Sequence, residues 1–319
     1  MHSTSKRRAL VTGVVSAFSL GFAAAAAQAQ DKYPSRPVEF VVPWGPGGGA
    51  DAVARKAGRM LEESLKASFP VINVPGATGR TGLNKMLSAQ ADGYTISIMT
   101  GDTFGLLANP GANWSLDQLT PVAIMIRQPS AFLVAENGPI KTWADLEREA
   151  KMRPVKVAVT GFGSPDDMTV NYFVKRGLKL VSVPFAKPGE RYSAILGGHA
   201  DVLYEQPGDV RSFIDGKQMR PVLLFGEKRH PAFTEVPVSK ELGFDITMPQ
   251  FRMVTVKAGT DAAKVKLLSD ELEKVARSAD YKKYLEEQLA DVDSYIPAKD
   301  AMNFLQGELE AMKKHAIGK

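Results

Sequence analysis

The stretch FVVPWGPGGGADAVARK, residues 40–56, joins a short apolar run to a glycine turn and then to the start of a helix. The run VEFVVP (Val38–Pro43) has the length and the β-branched content of a buried strand. The apolar positions after the turn recur at helical spacing, at Val53, Ala57, Leu61 and Leu65. A strand that passes through glycines into a helix is the first half of a βαβ unit, which favours an α/β fold.

The glycine turn in this stretch predicts an anion site. A turn between the carboxyl end of a strand and the amino end of a helix presents unpaired backbone N–H groups, and the helix dipole favours negative charge beside them. Gly47, Gly48 and Gly49 have unrestricted φ angles and carry no side chain that would hold a ligand away. The simpler alternative is a tight turn without a ligand.

A second turn of this kind lies in the middle of the chain, in TGFGSPDDM (Thr160–Met168). Ser164 suits the N-cap and Pro165 suits the first helical position. Asp166 and Asp167 suit the first turn of a helix, so a well-capped helix without a ligand is the alternative. Two helix ends facing one cleft would suit a small carboxylate, since charge-assisted hydrogen bonds of about 1.5–3 kcal/mol each need no side-chain cation.

Strand-like and helix-like runs alternate along the rest of the chain, which predicts parallel sheets with helices on their faces. The other predicted strands are Val71–Val74, Tyr94–Met99, Val122–Ile126, Val155–Val159, Lys179–Val183, Ala200–Tyr204, Arg220–Phe225 and Phe251–Thr260. The predicted C-terminal helices are Asp261–Ala276, Asp280–Gln288 and Ala298–Ala316.

The middle block of the chain has a complete strand–helix alternation of its own. We therefore expect the chain to leave one lobe near Ile126, to build a second lobe, and to return near Phe251. This predicts a first lobe of residues 30–126 with 252–319 and a second lobe of residues 127–251. Two crossings form a hinge, and a hinge between two α/β lobes creates a cleft for a small ligand.

The first residues have the pattern of a secretory signal peptide. The basic group Lys6–Arg8 precedes the apolar run Ala9–Ala26 and an A-x-A cleavage site at Ala27–Ala29. We predict that residues 1–29 are a cleaved signal and that the protein is exported into a bacterial periplasm. Either the general secretory (Sec) pathway or the twin-arginine export pathway fits the pattern.

Composition narrows the classes of function. The 319-residue chain has a net charge of +5, and residues 1–29 hold three basic residues and no acidic ones, so the remainder carries +2. That balance, with both signs interspersed, is not the basic surface of a nucleic-acid-binding protein. The chain has no Cys, which removes thiol nucleophiles, cysteine metal sites and disulfides.

The chain resembles the Bug proteins, the substrate-binding components of tripartite tricarboxylate transporters. The motifs that carry the resemblance include YPSRPVEFVVPWGPGGGADAVAR (33–55), NVPGATGRTG (73–82), ADGYTISIMT (91–100), LTPVAIM (119–125), LGGHADVLYEQP (196–207) and VPVSKELGF (236–244). The resemblance covers essentially all of the chain after the signal. It implies a two-lobed type II periplasmic binding protein fold, in which a hinge joins two Rossmann-like α/β domains and the ligand lies in the cleft. It also implies no catalysis, no cofactor and no metal.

The resemblance implies which residues bind the ligand. These residues lie in the first glycine turn, in two neighbouring turns of the first lobe, in the serine-containing turn of the second lobe, and opposite that turn. Gly47 is added because it belongs to the first glycine turn. The full set is Trp44, Gly45, Gly47, Gly48, Gly49, Ala50, Asp51, Ala77, Thr78, Thr100, Asp102, Gly163, Ser164, Phe185, Asp201 and Glu205. The implied partners are a small mono- or dicarboxylate and the membrane permease subunits of such a transporter, with the protein itself a monomer.

The chain departs from the usual family pattern at several of these positions. Trp44 adds an aromatic face beside the glycines, and the second turn carries the acidic pair Asp166 and Asp167. Asp102 and Glu205 would place negative charge near the cleft. Acidic groups disfavour a polyanion such as citrate by like-charge repulsion, and they favour a ligand that carries an amine or has an apolar or aromatic body. The alternative for each acid is an exposed or capping role.

Three other interpretations remain open at this point. Gly45, Gly47 and Ala50 fit a G-x-G-x-x-A dinucleotide fingerprint, but the next strand offers Asn73 and no acidic residue at its end. A hydrolase would need a nucleophile elbow, which the sequence lacks, and Ser164 lies in a capping pattern. An adhesin or sensory module would keep the two-lobed fold and not respond to small acids.

Overall fold

The structure is a computed structural model that describes residues 33–316. The predicted signal peptide, residues 1–29, lies outside the described residues. Within the described part of the chain, no helix combines the length and the apolar character that crossing a membrane requires.

Strands and helices alternate through the described residues. The strands are β1 (Glu39–Val42), β2 (Val71–Asn73), β3 (Thr95–Thr100), β4 (Leu119–Gln128), β5 (Ser130–Ala135), β6 (Val155–Val159), β7 (Leu180–Pro184), β8 (Val202–Glu205), β9 (Met219–Phe225), β10 (Gln250–Lys257) and β11 (Ile296–Pro297). The α-helices are α1 (Gly49–Leu65), α2 (Arg80–Ser88), α3 (Gly101–Gly105), α4 (Trp143–Met152), α5 (Pro165–Val174), α6 (Pro188–Leu196), α7 (Arg211–Asp215), α8 (Ala262–Arg277), α9 (Ala279–Glu287) and α10 (Ala298–Lys313). Short 3₁₀ turns lie at Ala77–Gly79, Leu106–Ala108, Leu116–Gln118 and Pro231–Phe233.

The strands form two sheets. The first sheet has the order β11-β4-β10-β3-β1-β2, and the second has the order β7-β6-β8-β5-β9. Pairs built by βαβ crossovers are parallel, as predicted: β1 with β2 and β3, and β6 with β7 and β8. The strands next to the crossings are antiparallel instead, because the chain leaves the first sheet along β4 and returns beside it along β10.

Most predicted strands lie within one to three residues of the observed ones, and β6 coincides with its predicted range. Two strands are missing from the prediction. The run SAFLVA forms β5, which lies between β8 and β9, and the two-residue β11 pairs with the edge of the first sheet. β5 escapes a pattern search because a single residue, Pro129, separates it from the end of β4.

The two crossings between the sheets lie side by side. Gln128, at the end of β4, pairs with Gln250, at the start of β10. The Ser130 hydroxyl donates a 3.0 Å hydrogen bond to the carbonyl of Met248. Each crossing contains a proline, Pro129 on the outward path and Pro249 on the return. The lobe limits predicted from the sequence, residues 126 and 252, fall beside these crossings, and the division of the chain at those residues stays a prediction.

An aromatic cluster fills the core beside the second sheet. Phe132 of β5 is fully buried, and its ring lies 4.9 Å from that of Phe225 in an edge-to-face arrangement. Its ring also lies 5.8 Å from Phe173 of α5 and 6.0 Å from Tyr204 of β8. These contacts attach the helix that follows the second turn to the middle of the sheet.

Truncating the centre of this cluster is expected to destabilise the protein. Phe132→Ala removes a buried ring and leaves a cavity, which should lower the free energy of unfolding by about 3–5 kcal/mol in urea denaturation. Phe162→Ala is the control, since Phe162 is 63% exposed and its removal should cost less than about 0.5 kcal/mol. Equal effects of the two changes would contradict this account of the core.

Candidate ligand-binding site

The first glycine turn is braced by Asp51, in the first turn of α1. The Asp51 carboxylate accepts hydrogen bonds from the Gly47 amide at 3.2 Å, from Asn73 Nδ2 at 2.9 Å and from Arg55 Nε at 2.9 Å. Burial alone would raise the pKa of Asp51, but these hydrogen bonds outweigh it and the pKa is lowered. Asp51 therefore stays ionised and holds the turn, and the structure does not place it among the residues that line the cleft.

The turn presents unpartnered amides at the start of α1. Among the described residues, no group accepts a hydrogen bond from the backbone N–H of Gly48, Gly49 or Ala50. Trp44 lies beside them, and its indole Nε1 donates a 3.1 Å hydrogen bond to Thr100 Oγ1. The sequence prediction of a bare helix end thus matches the local geometry of the first turn.

The amides open onto a small cavity between the two sheets. Seven of the predicted site residues line it: Trp44, Gly48, Gly49, Ala50, Thr100, Asp102 and Glu205. Its volume is about 30 Å³, which is far below the roughly 300–1,000 Å³ of a typical small-molecule site. A Cβ atom at Gly48 would lie 2.5 Å from Cγ of Pro188, and one at Gly49 would overlap the side chains of Asp209 and Arg252. The cleft is therefore closed in this structure, and its own side chains fill most of it.

The second turn differs from the first, because acidic side chains that follow it accept hydrogen bonds from two of its amides. Asp166 Oδ2 accepts from the Thr160 amide at 2.8 Å, and Asp167 Oδ2 accepts from the Gly163 amide at 2.9 Å. Ser164 caps α5: its hydroxyl donates to the Gly161 carbonyl at 2.7 Å and accepts from the Asp167 amide at 3.3 Å. Ser164 and Gly163 shape this turn, but neither lines the cavity.

Other predicted residues lie at contacts between the lobes. Thr78 Oγ1 donates to the Phe162 carbonyl at 3.4 Å, and Asn109 Nδ2 donates to the Gly163 carbonyl at 2.9 Å. Ala77 adopts a positive φ of 49° beside Thr78.

Three further predicted residues also lie outside the cavity. Gly45 lies close to the side chain of Lys187. Phe185 packs on the second sheet's core. Asp201 pairs with Arg153 at 3.0 Å. Asp201 and Glu205 flank opposite ends of β8, and only the carboxyl end of that strand reaches the cleft.

Two buried ion pairs form the far wall of the cavity. Arg191 of α6 pairs with Glu205, which also accepts a 2.9 Å hydrogen bond from the Tyr192 hydroxyl. Arg252 of β10 pairs with Asp209, in the segment after β8. All four charged side chains are at most 5% exposed. Burial raises the pKa of Asp209 to about 6, even though the neighbouring Arg252 acts to lower it.

Two further carboxyl groups meet at Thr160. The Thr160 hydroxyl donates to Asp166 Oδ2 at 2.9 Å and to Asp102 Oδ1 at 3.4 Å. Gln250 Nε2 donates to the other oxygen of Asp102 at 2.7 Å. Burial, with the nearby charge of Asp102, raises the pKa of Asp166 well above its ordinary value. This pair faces the cavity without an arginine hydrogen-bonded to either carboxyl group.

Apart from Glu205, the sequence prediction missed the charged cavity residues of the second lobe and of the returning strand. The cavity residues absent from the prediction, which covered the stretch from Asp201 to Glu205, are Thr160, Asp166, Pro188, Arg191, Tyr192, Gln206, Asp209 and Arg252. A signal for two of them was present. Arg252 interrupts the apolar strand FRMVTV, and Arg191 shares a helix face with Ile195, so each guanidinium had to be buried with a partner. No comparable pattern marks Asp209.

Solved structures share the fold of this chain. MatC from Rhodopseudomonas palustris with bound malate superimposes with a TM-score of 0.81 at 21% identity, over 89% of this chain and 99% of that chain. A second R. palustris protein, solved with adipate, has a TM-score of 0.81 at 23% identity, over 89% and 97% of the two chains. The two α/β lobes of this chain, with a cavity lined from both, have the two-lobed fold of periplasmic binding proteins such as BugD.

Sequence comparison supplies the family. The model of the tripartite tricarboxylate transporter family receptor matches residues 53–318. A protein in the gbd 5′ region of Cupriavidus necator is 30% identical over 305 residues, which are 93% of this chain and 90% of that protein. The chain belongs to the tripartite tricarboxylate transporter receptor family, so its role is the binding of a solute.

Removing the cap of the second turn is expected to affect stability. Ser164→Ala deletes the hydroxyl that accepts from the Asp167 amide, which should lower the free energy of unfolding by about 1 kcal/mol in urea denaturation. Ser115→Ala is the control, because Ser115 caps only a short 3₁₀ turn at the surface and its loss should have a smaller effect. A Ser164 variant as stable as the parent would show that the cap contributes nothing.

Proposed function

We propose that the protein captures a small organic carboxylate between its lobes, in a bacterial periplasm, and delivers it to the permease subunits of a tripartite tricarboxylate-type transporter. It acts as a monomer without catalysis. The observation that carries the proposal is the set of unpartnered amides at Gly48, Gly49 and Ala50, which face a cavity between the lobes. Such amides at a helix start are donors suited to an acid group.

The solved relatives support the ligand class. One is titled with bound malate and another with adipate, and both of these ligands are small dicarboxylates. The present chain shares their two-lobed fold. Its predicted signal, residues 1–29, supports export to the compartment in which such proteins work.

Ligand entry requires the lobes to separate. The closed cavity is too small for an organic acid, and Gly48 lies against Pro188 of the opposite lobe. The paired crossings beside Pro129 and Pro249 supply the hinge. A ligand favours the closed form only if it binds that form more tightly than the open one. Contacts to both the first turn and the second lobe satisfy that condition.

The side chains of the cleft support a binding role over an enzymatic one. Ser164 donates its hydroxyl to a backbone carbonyl, and no base is hydrogen-bonded to it among the described residues. No group of three or more potential metal-ligating side chains lies within residues 33–316. His230 accepts a 3.1 Å hydrogen bond from the Ala232 amide, outside the residues that line the cavity.

A side chain at Gly48 is expected to abolish binding. Gly48→Leu fills the space in front of the amides and presses on Pro188, so the charge-assisted hydrogen bonds of about 1.5–3 kcal/mol each are lost and affinity falls by more than about 100-fold. Isothermal titration calorimetry measures the loss, and circular dichroism confirms the fold.

The matched control for this change is Gly307→Leu. Gly307 lies in α10 with open space around it, so the control should keep both fold and affinity. Unchanged affinity in the Gly48 variant would overturn the proposed site.

The ligand class is tested by a thermal-shift screen of the mature protein. The panel contains mono-, di- and tricarboxylates, amino acids and aromatic acids. A ligand that binds only the folded state raises the melting temperature in proportion to the logarithm of its excess over the dissociation constant. Stabilisation by carboxylates is the expected result. Stabilisation by neutral sugars or by cations alone would overturn the proposal.

A further inference from the structure

The cavity contains more carboxyl groups than cationic ones. Four carboxyl groups line it, from Asp102, Asp166, Glu205 and Asp209, against the two guanidinium groups of Arg191 and Arg252. The two arginines are already paired with Glu205 and Asp209. The carboxyl pair at Thr160 has no arginine hydrogen-bonded to either group, and burial beside Asp102 raises the pKa of Asp166, so this pair adds less than two full negative charges. A ligand with several negative charges would therefore enter a cavity that already carries a negative excess.

Several buried polar atoms of the same wall lack a partner. Among the described residues, nothing hydrogen-bonds to Asp209 Oδ1, Arg191 Nε or Arg252 Nε. The first is an acceptor and the other two are donors. A buried polar atom without a partner is destabilising, so this wall favours a ligand that supplies both a donor and an acceptor. Neither a polycarboxylate nor a simple cation does so.

The acceptor and the predicted acid site are close together. A Cβ atom added to Gly49 would overlap the carboxylate of Asp209 and the guanidinium of Arg252. The oxygen that this Cβ atom would meet is Oδ2, which pairs with Arg252, so the Asp209 carboxyl group lies directly in front of the first turn. A ligand that bridges the first turn and this carboxyl group must carry its acid group and its donor a short distance apart.

Building on the proposed carboxylate-binding function, we propose that the cleft selects an α-amino acid or a closely similar amine-bearing acid. Its carboxylate binds at the first turn, within reach of the arginines, and its ammonium group donates to Asp209. The protonated amine also offsets the negative excess at Asp102 and Asp166. Polycarboxylates are disfavoured, because each additional negative charge meets that excess.

The test compares acids that differ only in the amine. L-glutamate is matched with glutarate, L-phenylalanine with 3-phenylpropionate, and L-alanine with propionate, with citrate as the polyanion. Calorimetry on the mature protein should give an affinity at least about tenfold higher for the amino member of the pair that fits best. If the des-amino acid of every pair binds as tightly as its amino partner or more tightly, or if citrate binds most tightly of all, the proposed selectivity is overturned. The carboxylate-binding function is left intact in either case. Binding by no acid of either kind defeats both proposals.

Substitution of Asp209 identifies the acceptor. Asp209→Asn should reduce the preference for the amino acid over the des-amino acid at least about tenfold, because the ammonium group loses its acceptor while the des-amino acid loses a repelling charge. Asp102 has no hydrogen-bonded arginine, so Asp102→Asn is the alternative variant if Asp209→Asn fails to fold. It should likewise lower the affinity for the amino acid. Asp215→Asn, in a surface pair with Arg211, is the control for charge and should change neither affinity. Tighter binding of both acids by Asp209→Asn would show that Asp209 competes with the ligand, and would overturn its role as acceptor.

Discussion

The pairing of Arg252 with Asp209 is the interaction on which the closed cleft depends. Arg252 lies on the strand that returns to the first sheet, and Asp209 follows a strand of the second, so the pair joins the two lobes at the cavity. Both side chains are at most 4% exposed. Removal of one partner from such a pair costs about 3–5 kcal/mol, because the other charge is left buried and uncompensated. The pair is therefore stable while the lobes are closed, and water replaces the lost contacts only when they open.

The two turns that look alike in sequence have different roles for a simple chemical reason. In the first, the acid that follows the glycines is Asp51, which is held by Arg55 and Asn73 and accepts only the Gly47 amide of the turn. The next amides stay available. In the second, Asp166 and Asp167 fold back onto the turn and accept from two of its amides, those of Thr160 and Gly163. The first helix start thus faces the cavity without an acid of its own at Gly48, Gly49 and Ala50, whereas the second carries acids against its turn.

Much of the fold could be predicted from the sequence because hydrophobic runs and turn residues are local signals. The strand from Val155 to Val159 has its predicted limits, whereas β5 was missed because only Pro129 separates it from the end of β4. For the cavity, glycines and caps marked the first-lobe wall. The other wall consists of residues such as Asp209, whose importance arises from contact with Arg252, and spacing along the chain does not encode that contact. The family resemblance supplied the location of the cleft and two of its acids, Asp102 and Glu205, but not the arginines that pair with the acids of the far wall.

The prolines at the crossings limit how the molecule can move. Pro129 and Pro249 each fix one backbone torsion near −65° and restrict the residue before them. Few rotatable bonds remain between the sheets, and Ser130 ties the two strands of the connection together. In the proposed function, two short connections of this kind restrict the motion of one half against the other. They return the halves to the same arrangement after each cycle, so that a surface spanning both signals to the proposed permease whether a solute is bound.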